Sequence, residues 1–486
     1  MPLPYETAVA RMYALGHELS QTLSHKFDLA HMRVLLAALN HPERRFPGVL
    51  VAGTNGKGST AATLASILRV SGLRTGLYTS PHLVRINERI RINGAEISDD
   101  DFALLHDVVD RTAERLVEDG ELPWHPSFFE MLTAIAFEYF AQNKVEIAVL
   151  EVGMGGRLDA TNVIEPRVSV IADISLDHQK FLGNTVAEIA REKAGIIRPG
   201  GVVVTLPQQP QANDVIGNTI LELGAQGVSA VPYVPPVSPG SDEYLMRTAK
   251  SAAERRKDAA HGESLGSEEQ DDQAPAGRQK DPNTRAALVS RYPLQVMGKQ
   301  ILVETPLVGR HQLRNIALAI ATAEVLSHQG FAITPETIER GIRETRWPGR
   351  FQVIPPEGTA PEYVFDVAHN PAGAWALRSA LSGCYEDRPL TFVFGAMRDK
   401  AIGEIAEILF PLAAHVIATK ADNPRSATPN EIREAASRTA TDIEDAIDVA
   451  SALDRSSSLA GPRGVVVITG SIYIVGEAMR VLGVKV

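Results

Sequence analysis

Short runs of apolar, β-branched residues recur through this chain, separated by longer stretches of helical periodicity, and that alternation leaves few folds open. The runs are GVLVAG (48–53), LRTGLYT (73–79), VEIAVLEV (145–152), RVSVIADI (167–174) and GVVVTL (201–206). Between them, STAATLASILRVSG reads as a helix stopped by Gly72, and FFEMLTAIAFEYFAQN as an amphipathic helix. A strand that is apolar on both faces needs cover on both. Helices joining successive strands supply it, so the pattern predicts a parallel sheet between helical layers.

The alternation breaks at about 234–292, a stretch charged and rich in Ala, Gly, Ser and Pro. It offers too little apolar surface to offset its ordering entropy, and a mobile insertion with no readable function is expected there. Strand-like runs then resume at YVFDV (363–367), LTFVFGA (390–396), HVIAT (415–419) and GVVVITG (464–470). Because 486 residues exceed what one core serves, two domains are expected, 1–305 and 306–486, the second opening at Pro306-Leu307-Val308-Gly309.

Charge and cysteine content narrow the function. A net charge of −11 argues against a nucleic-acid binder, which draws its affinity from clustered Lys and Arg. The single cysteine, Cys384, rules out an internal disulfide framework and fits a reducing cytoplasm. No run approaches the ~20 apolar residues of a membrane span, and the N-terminus lacks the pattern of an export signal, so no membrane partner is expected.

The stretch VAGTNGKGST, Val51 to Thr60, ends one of the apolar runs and opens a helix. Gly53, Gly56 and Gly58 allow a backbone that approaches a ligand closely, so that N–H groups of the loop can converge on phosphate oxygens at a helix N-terminus. Lys57 suits the β and γ phosphates, and the Ser59 hydroxyl suits Mg²⁺. The spacing departs from the usual GxxxxGK[ST], and Gly58 fits a loop that delivers Ser59 one residue later than the standard pattern. A glycine-rich turn with an incidental lysine is the bland alternative.

YTSPHLVRINERI (78–90), LEVGMGGRLDATN (150–162), SLDHQKFLG (175–183) and REKAGI (191–196) follow in order. With GTNGKGS they resemble the folate branch of the ATP-dependent amide ligases that also include the cell-wall Mur ligases, the dihydrofolate synthase/folylpolyglutamate synthase family. HQLRN (311–315), RWPGR (346–350) and FDVAHNP (365–371) extend the resemblance to the second unit. It implies an α/β fold: an N-terminal P-loop ATPase-type domain with a parallel-rich sheet, then a C-terminal Rossmann-like domain.

The resemblance also implies roles. ATP would contact Gly53, Thr54, Asn55, Gly56, Lys57, Gly58, Ser59 and Thr60, with Asn315 at adenine, Arg350 at the phosphates and Asp366 at the ribose. Mg²⁺, two ions in the family, would be held by Ser59, Ser80, Glu151 and His178. Lys193, whose counterpart is N-carbamylated in relatives, Lys57 and His369 would be catalytic. On residue chemistry alone, Glu151 reads as a carboxylate at an exposed strand tip, His178 as an ordinary surface or core histidine, Lys193 as a solvated surface lysine, and Arg350 as a surface ion-pair partner.

Substrate would meet Asp28, Leu29, His82, Phe128, Phe129, Glu130, Arg157 and Asp159, an aromatic face with carboxylates for pterin nitrogens. Phe128 and Phe129 read equally as core residues at a helix start. The implied reaction joins L-glutamate to dihydropteroate or a reduced folate through an acyl phosphate, in a monomer. Two alternatives stand beside it: a cell-wall ligase acting on UDP-linked sugar peptides, and a P-loop switch or ATPase that turns over nucleotide without an acceptor.

Overall fold

The computed structural model describes residues 3–16, 29–236, 289–439 and 441–485. Asp28 and most of the expected insertion lie outside them; the last residues of that stretch, Ser290–Tyr292, begin a strand. Among the described residues, sixteen strands form three sheets. The large one takes β1 (Gly48–Ala52), β2 (Thr75–Tyr78), β3 (Ile90–Ile92), β4 (Ala95–Glu96), β5 (Ile147–Glu151), β6 (Pro166–Ile171), β7 (Val202–Thr205) and β8 (Gln226–Ser229) in the order β4-β3-β2-β5-β1-β6-β7-β8. All neighbours from β2 to β8 pair in parallel, and β3 and β4 add an antiparallel edge.

The centre of this sheet follows the apolar code closely. β1 and β5 are buried at every residue, since helices cover both faces. One face packs on the helices Asp99–Glu118 and Phe128–Gln142, the other on Lys57–Val70 and Arg310–His328. A hairpin of β9 (Ser290–Val296) and β10 (Lys299–Thr305) closes the latter side through Tyr292, Val296, Ile301 and Val303. Its two-residue loop, Met297-Gly298, has φ of 51° and 76°, the left-handed pair that matches strand twist.

The second domain holds β11 (Gln352–Ile354), β12 (Glu362–Phe365), β13 (Leu390–Phe394), β14 (Ala413–Ala418), β15 (Ile443–Asp445) and β16 (Val465–Thr469), ordered β11-β12-β16-β13-β14-β15. It is parallel except for β11. Its core takes in Val308 and resumes at Phe351. Between them, helices Arg310–His328 and Pro335–Arg343 bury Ile316, Ile320, Leu326, Ile338 and Ile342 against the first sheet. An amphipathic helix declares that it has an apolar face, not which sheet covers it.

Candidate active site

Three strand ends meet where the chain leaves β1. The backbone turns through Gly53 (φ 154°) and Gly56 (φ 85°) into the helix Lys57–Val70. A Cβ on Gly53 would lie 2.8 Å from Ala172 Cβ, and one on Gly56 2.1 Å from Asn315 Oδ1. The helix starts two residues earlier than expected, which puts Gly58 in its first turn. There a Cβ would come 2.7 Å from the Trp347 ring, so this glycine makes room for an indole from the second unit and does not lengthen the loop. Trp347 sits in RWPGR, where sequence reasoning saw only the arginine.

Two amines converge on the loop. Lys193 Nζ donates to the Gly53 carbonyl at 2.7 Å, and Lys57 Nζ to the Gly53 and Thr54 carbonyls at 3.2 and 3.3 Å. Lys193 is buried near the end of the helix Val186–Ala194; burial first, then the nearby Lys57 charge, lowers its amine to about 7. Glu151, the last residue of β5, is also buried. Desolvation pushes its carboxyl up, while Lys57 and the Ser80 N–H, which donates to Oε2 at 3.1 Å, pull it down. The bland reading of Glu151 as an exposed strand tip is thereby excluded.

His178 takes a left-handed backbone (φ 50°), and burial lowers its imidazole to about 3, leaving it neutral. Beside it lies a residue missed from sequence, Asp177. Its carboxylate accepts from Lys400 Nζ at 2.7 Å and Asn370 Nδ2 at 3.3 Å, with the rings of His369 and His178 at 3.7 and 3.8 Å. Although burial opposes ionisation, these hydrogen bonds and positive partners hold the Asp177 carboxyl far below its usual range. Asn370 Nδ2 also donates to Asn55 Oδ1 at 3.0 Å, so the second domain touches the phosphate loop directly.

Asp366 directly follows β12 and accepts the N–H groups of Phe351 and Ala368, both at 2.9 Å. Burial pushes it up, and Arg350 opposes that. Asn315 is buried against Gly56, and its Nδ2 donates to Gln312 Oε1 at 2.9 Å. These residues, Lys57, Ser59, Ser80, Glu151, His178 and Lys193 line one cavity of about 600 Å³ between the domains. That is the volume class of small-molecule and cofactor sites.

The expected substrate residues divide. Leu29, Phe128, Phe129, Glu130 and Asp159 line the same cavity. Phe128 is buried, while Phe129 lies against Gly153, where a Cβ would come 2.5 Å from the ring. The two carboxylates are committed to backbone: Glu130 accepts the Ser127 N–H at 2.8 Å in a capping box, and Asp159 accepts the N–H groups of Met154 and Thr161, both at 3.0 Å. Arg157 leaves the cavity and pairs with Glu192 at 2.9 Å; His82 bonds Tyr13 at 3.1 Å and Arg89 at 2.8 Å. The capping box in SFFE, Ser followed three residues later by Glu, was legible in sequence.

No group of three His, Cys, Asp or Glu side chains able to cage a metal occurs among the described residues. One buried carboxylate, two hydroxyls and a neutral imidazole fit Mg²⁺ nonetheless, because this ion takes few protein ligands and completes its shell with phosphate and water.

Fold and cavity define a two-domain nucleotide-binding α/β enzyme whose phosphate loop is closed from a second, Rossmann-like domain. Residues 349–472 match the family model "Mur ligase, glutamate ligase domain". Over nearly its whole length the chain belongs to the dihydrofolate synthase/folylpolyglutamate synthase family within the Mur ligase superfamily. A dihydrofolate synthase/folylpolyglutamate synthase of Bacillus subtilis is 32% identical over 460 residues, 94% of this chain and 95% of the relative. A folylpolyglutamate synthase of Lacticaseibacillus casei is 34% identical over 458 residues, 93% and 94% of the two chains. Among solved structures, a Mycobacterium tuberculosis folylpolyglutamate synthase complexed with ADP superposes at TM-score 0.77 with 28% identity, covering 99% of each chain. An FPGS–AMPPCP–folate complex gives TM-score 0.72 at 30% identity, covering 99% of this chain and 100% of that one.

Proposed function

We propose that this ATP-dependent ligase joins L-glutamate to dihydropteroate, to reduced folates, or to both. The observation that carries the reading is the cavity itself: the phosphate loop, two amines on one loop carbonyl and the buried carboxylate of Glu151 face Arg350 and Asp366 across the domain gap. Making an amide in water requires an activated carboxylate. A carboxylate oxygen of the pteroate or folate attacks the γ phosphorus of ATP, the bond to the β-phosphate oxygen breaks, and ADP leaves an acyl phosphate. The glutamate amine then attacks the acyl carbon, loses its proton, and displaces phosphate.

Positioning and neutralisation supply most of such catalysis. Lys57 exchanges its loop carbonyls for β and γ oxygens, and Arg350 grips the charge on the transferred group. Ser59, Ser80, Glu151 and His178 would hold Mg²⁺, which neutralises phosphate charge when bound. Lys193 would be carbamylated: only a neutral amine adds CO₂, and an amine lowered to about 7 is substantially neutral at physiological pH. The cavity is built from the two domains of a single chain, which supports a monomeric catalytic unit.

The test is product analysis with ATP, Mg²⁺ and labelled glutamate, offering dihydropteroate and tetrahydrofolate separately. ADP release should require both the carboxylate acceptor and glutamate; equal hydrolysis without either refutes the ligase reading. An intact mass measured with and without bicarbonate should differ by one carbamate on Lys193. Free amine alone, with full activity in Lys193→Ala, would overturn that modification.

A further inference from the structure

A second cavity, of about 870 Å³, opens at the opposite end of the large sheet. It borders Pro47, which leads into β1, and Pro166, which begins β6, whereas the phosphate loop leaves β1 at its carboxyl end. The five residues of β1, at ~3.3 Å each, separate the two sites by about 17 Å or more. Nothing in the ligase chemistry uses this place.

Its walls carry an unusual charge for a chain of net −11: Arg33, Arg44, Arg45, Arg167 and His41 stand against two carboxylates, Glu43 and Glu165. Glu165 is already engaged by Arg198 at 3.3 Å, and Glu43 by Arg44 at 3.3 Å. Arg33, Arg45 and Arg167 are exposed and form no salt bridge among the described residues, although the Glu138 carboxylate lies within electrostatic reach of Arg45. Glu43 is only 8% exposed. Its Oε1 meets His41 Nδ1 at 3.0 Å, but its Oε2 is buried with no hydrogen-bond partner. An acceptor left so is costly unless something donates to it. The wall is also built on strained backbone, with Asn40 and His41 both left-handed (φ 59° and 53°) and Arg45 tied to the Asn40 carbonyl at 2.9 Å.

We propose that this cleft binds a small polyanion that also carries an N–H or O–H donor: Arg44, Arg45 and their neighbours take the anionic groups, and Glu43 Oε2 accepts the donor. A bare inorganic anion satisfies the guanidinium groups and leaves the buried oxygen unpaired. A γ-linked oligoglutamate, with carboxylates spaced along amide N–H groups, satisfies both, and so does a nucleotide.

Calorimetry on the full chain, with the catalytic cavity saturated by AMPPCP, separates these sources using γ-linked triglutamate, adenosine 3′,5′-bisphosphate and inorganic triphosphate as probes. At least one donor-bearing probe should bind saturably, and Arg44→Gln/Arg45→Gln should weaken it about tenfold or more, as loss of charge-assisted hydrogen bonds does. Glu43→Gln should weaken that probe more than inorganic triphosphate. Ligase turnover of the arginine variant should stay at the wild-type level, reporting an intact fold. Binding of none of the probes, equal binding by the arginine variant, or binding of inorganic triphosphate alone overturns the proposal.

Discussion

Two lysine side chains share the Gly53 carbonyl, an arrangement that leaves both poised for an anion. For Lys57 the consequence is catalytic: Lys57→Ala should lower turnover by ~10²–10³-fold or more, the scale of losing one preorganised charge contact, with an unchanged circular dichroism spectrum. Wild-type turnover in that variant would remove its assigned role. For Lys193 the consequence is thermodynamic. Its folded amine titrates at about 7, below the ordinary 10.5 of the unfolded chain, so the folded state binds fewer protons between those values and stability rises with pH across that window. Below pH 7 both states are protonated and the full cost is present. In bicarbonate-free buffer, Lys193→Met should therefore stabilise the protein by up to about 4 kcal/mol below pH 7, with the gain shrinking as pH rises towards 10.5. Urea titrations on either side of the shifted value would show it, and a pH-independent difference would count against the buried cation.

At the scale of elements, the helix Lys57–Val70 joins the loop's chemistry to the packing behind it. Its first turn carries Gly58 against Trp347, and its buried face meets Arg310–His328, which covers the same face of the sheet. Gly58→Ala should destabilise by ~1–3 kcal/mol through overpacking, and the cost should largely disappear in a Trp347→Leu background, since neighbours in contact couple. Additive effects in that double-mutant cycle would show that the indole does not limit the turn. Strand positions were readable because all-apolar runs have few other uses. The hairpin of β9 and β10 and the edge strands β3, β4, β8, β11 and β15 escaped notice, being short or half-exposed and lacking that uniform burial. Glu130, Asp159 and Arg157 show the reverse limit: the motif names the residue, but whether its charge faces a ligand or a backbone amide depends on rotamer and neighbour.

For the whole molecule, the question is what holds the domains over ATP. Lys400 and Asp177, both side chains 9% exposed, form a buried cross-domain ion pair, and Asn370 bridges Asp177 to Asn55 of the loop. Removing one partner of such a pair leaves an uncompensated charge, a loss of ~3–5 kcal/mol where the site stays buried. Lys400→Met should therefore loosen the domains: KM for ATP rises, and small-angle scattering without nucleotide shows a larger radius of gyration that ATP restores. Unchanged scattering with an unchanged KM would place the closing force elsewhere. No helix among the described residues is long and apolar enough to cross a membrane.

The sequence by itself determined the alternation of strands and helices, the phosphate loop, and the order of motifs that identifies the family, because each is written in contiguous residues whose chemistry is local. Only tertiary structure decided that Arg310–Arg343 packs with the first domain, that Gly58 answers to Trp347, and that Asp177, Lys400 and Asn370 meet across the gap. Those facts depend on which distant surfaces share a boundary. Burial, which lowers Lys193 to about 7 and leaves Glu43 Oε2 without a partner, belongs to the folded assembly and to no stretch of the chain alone.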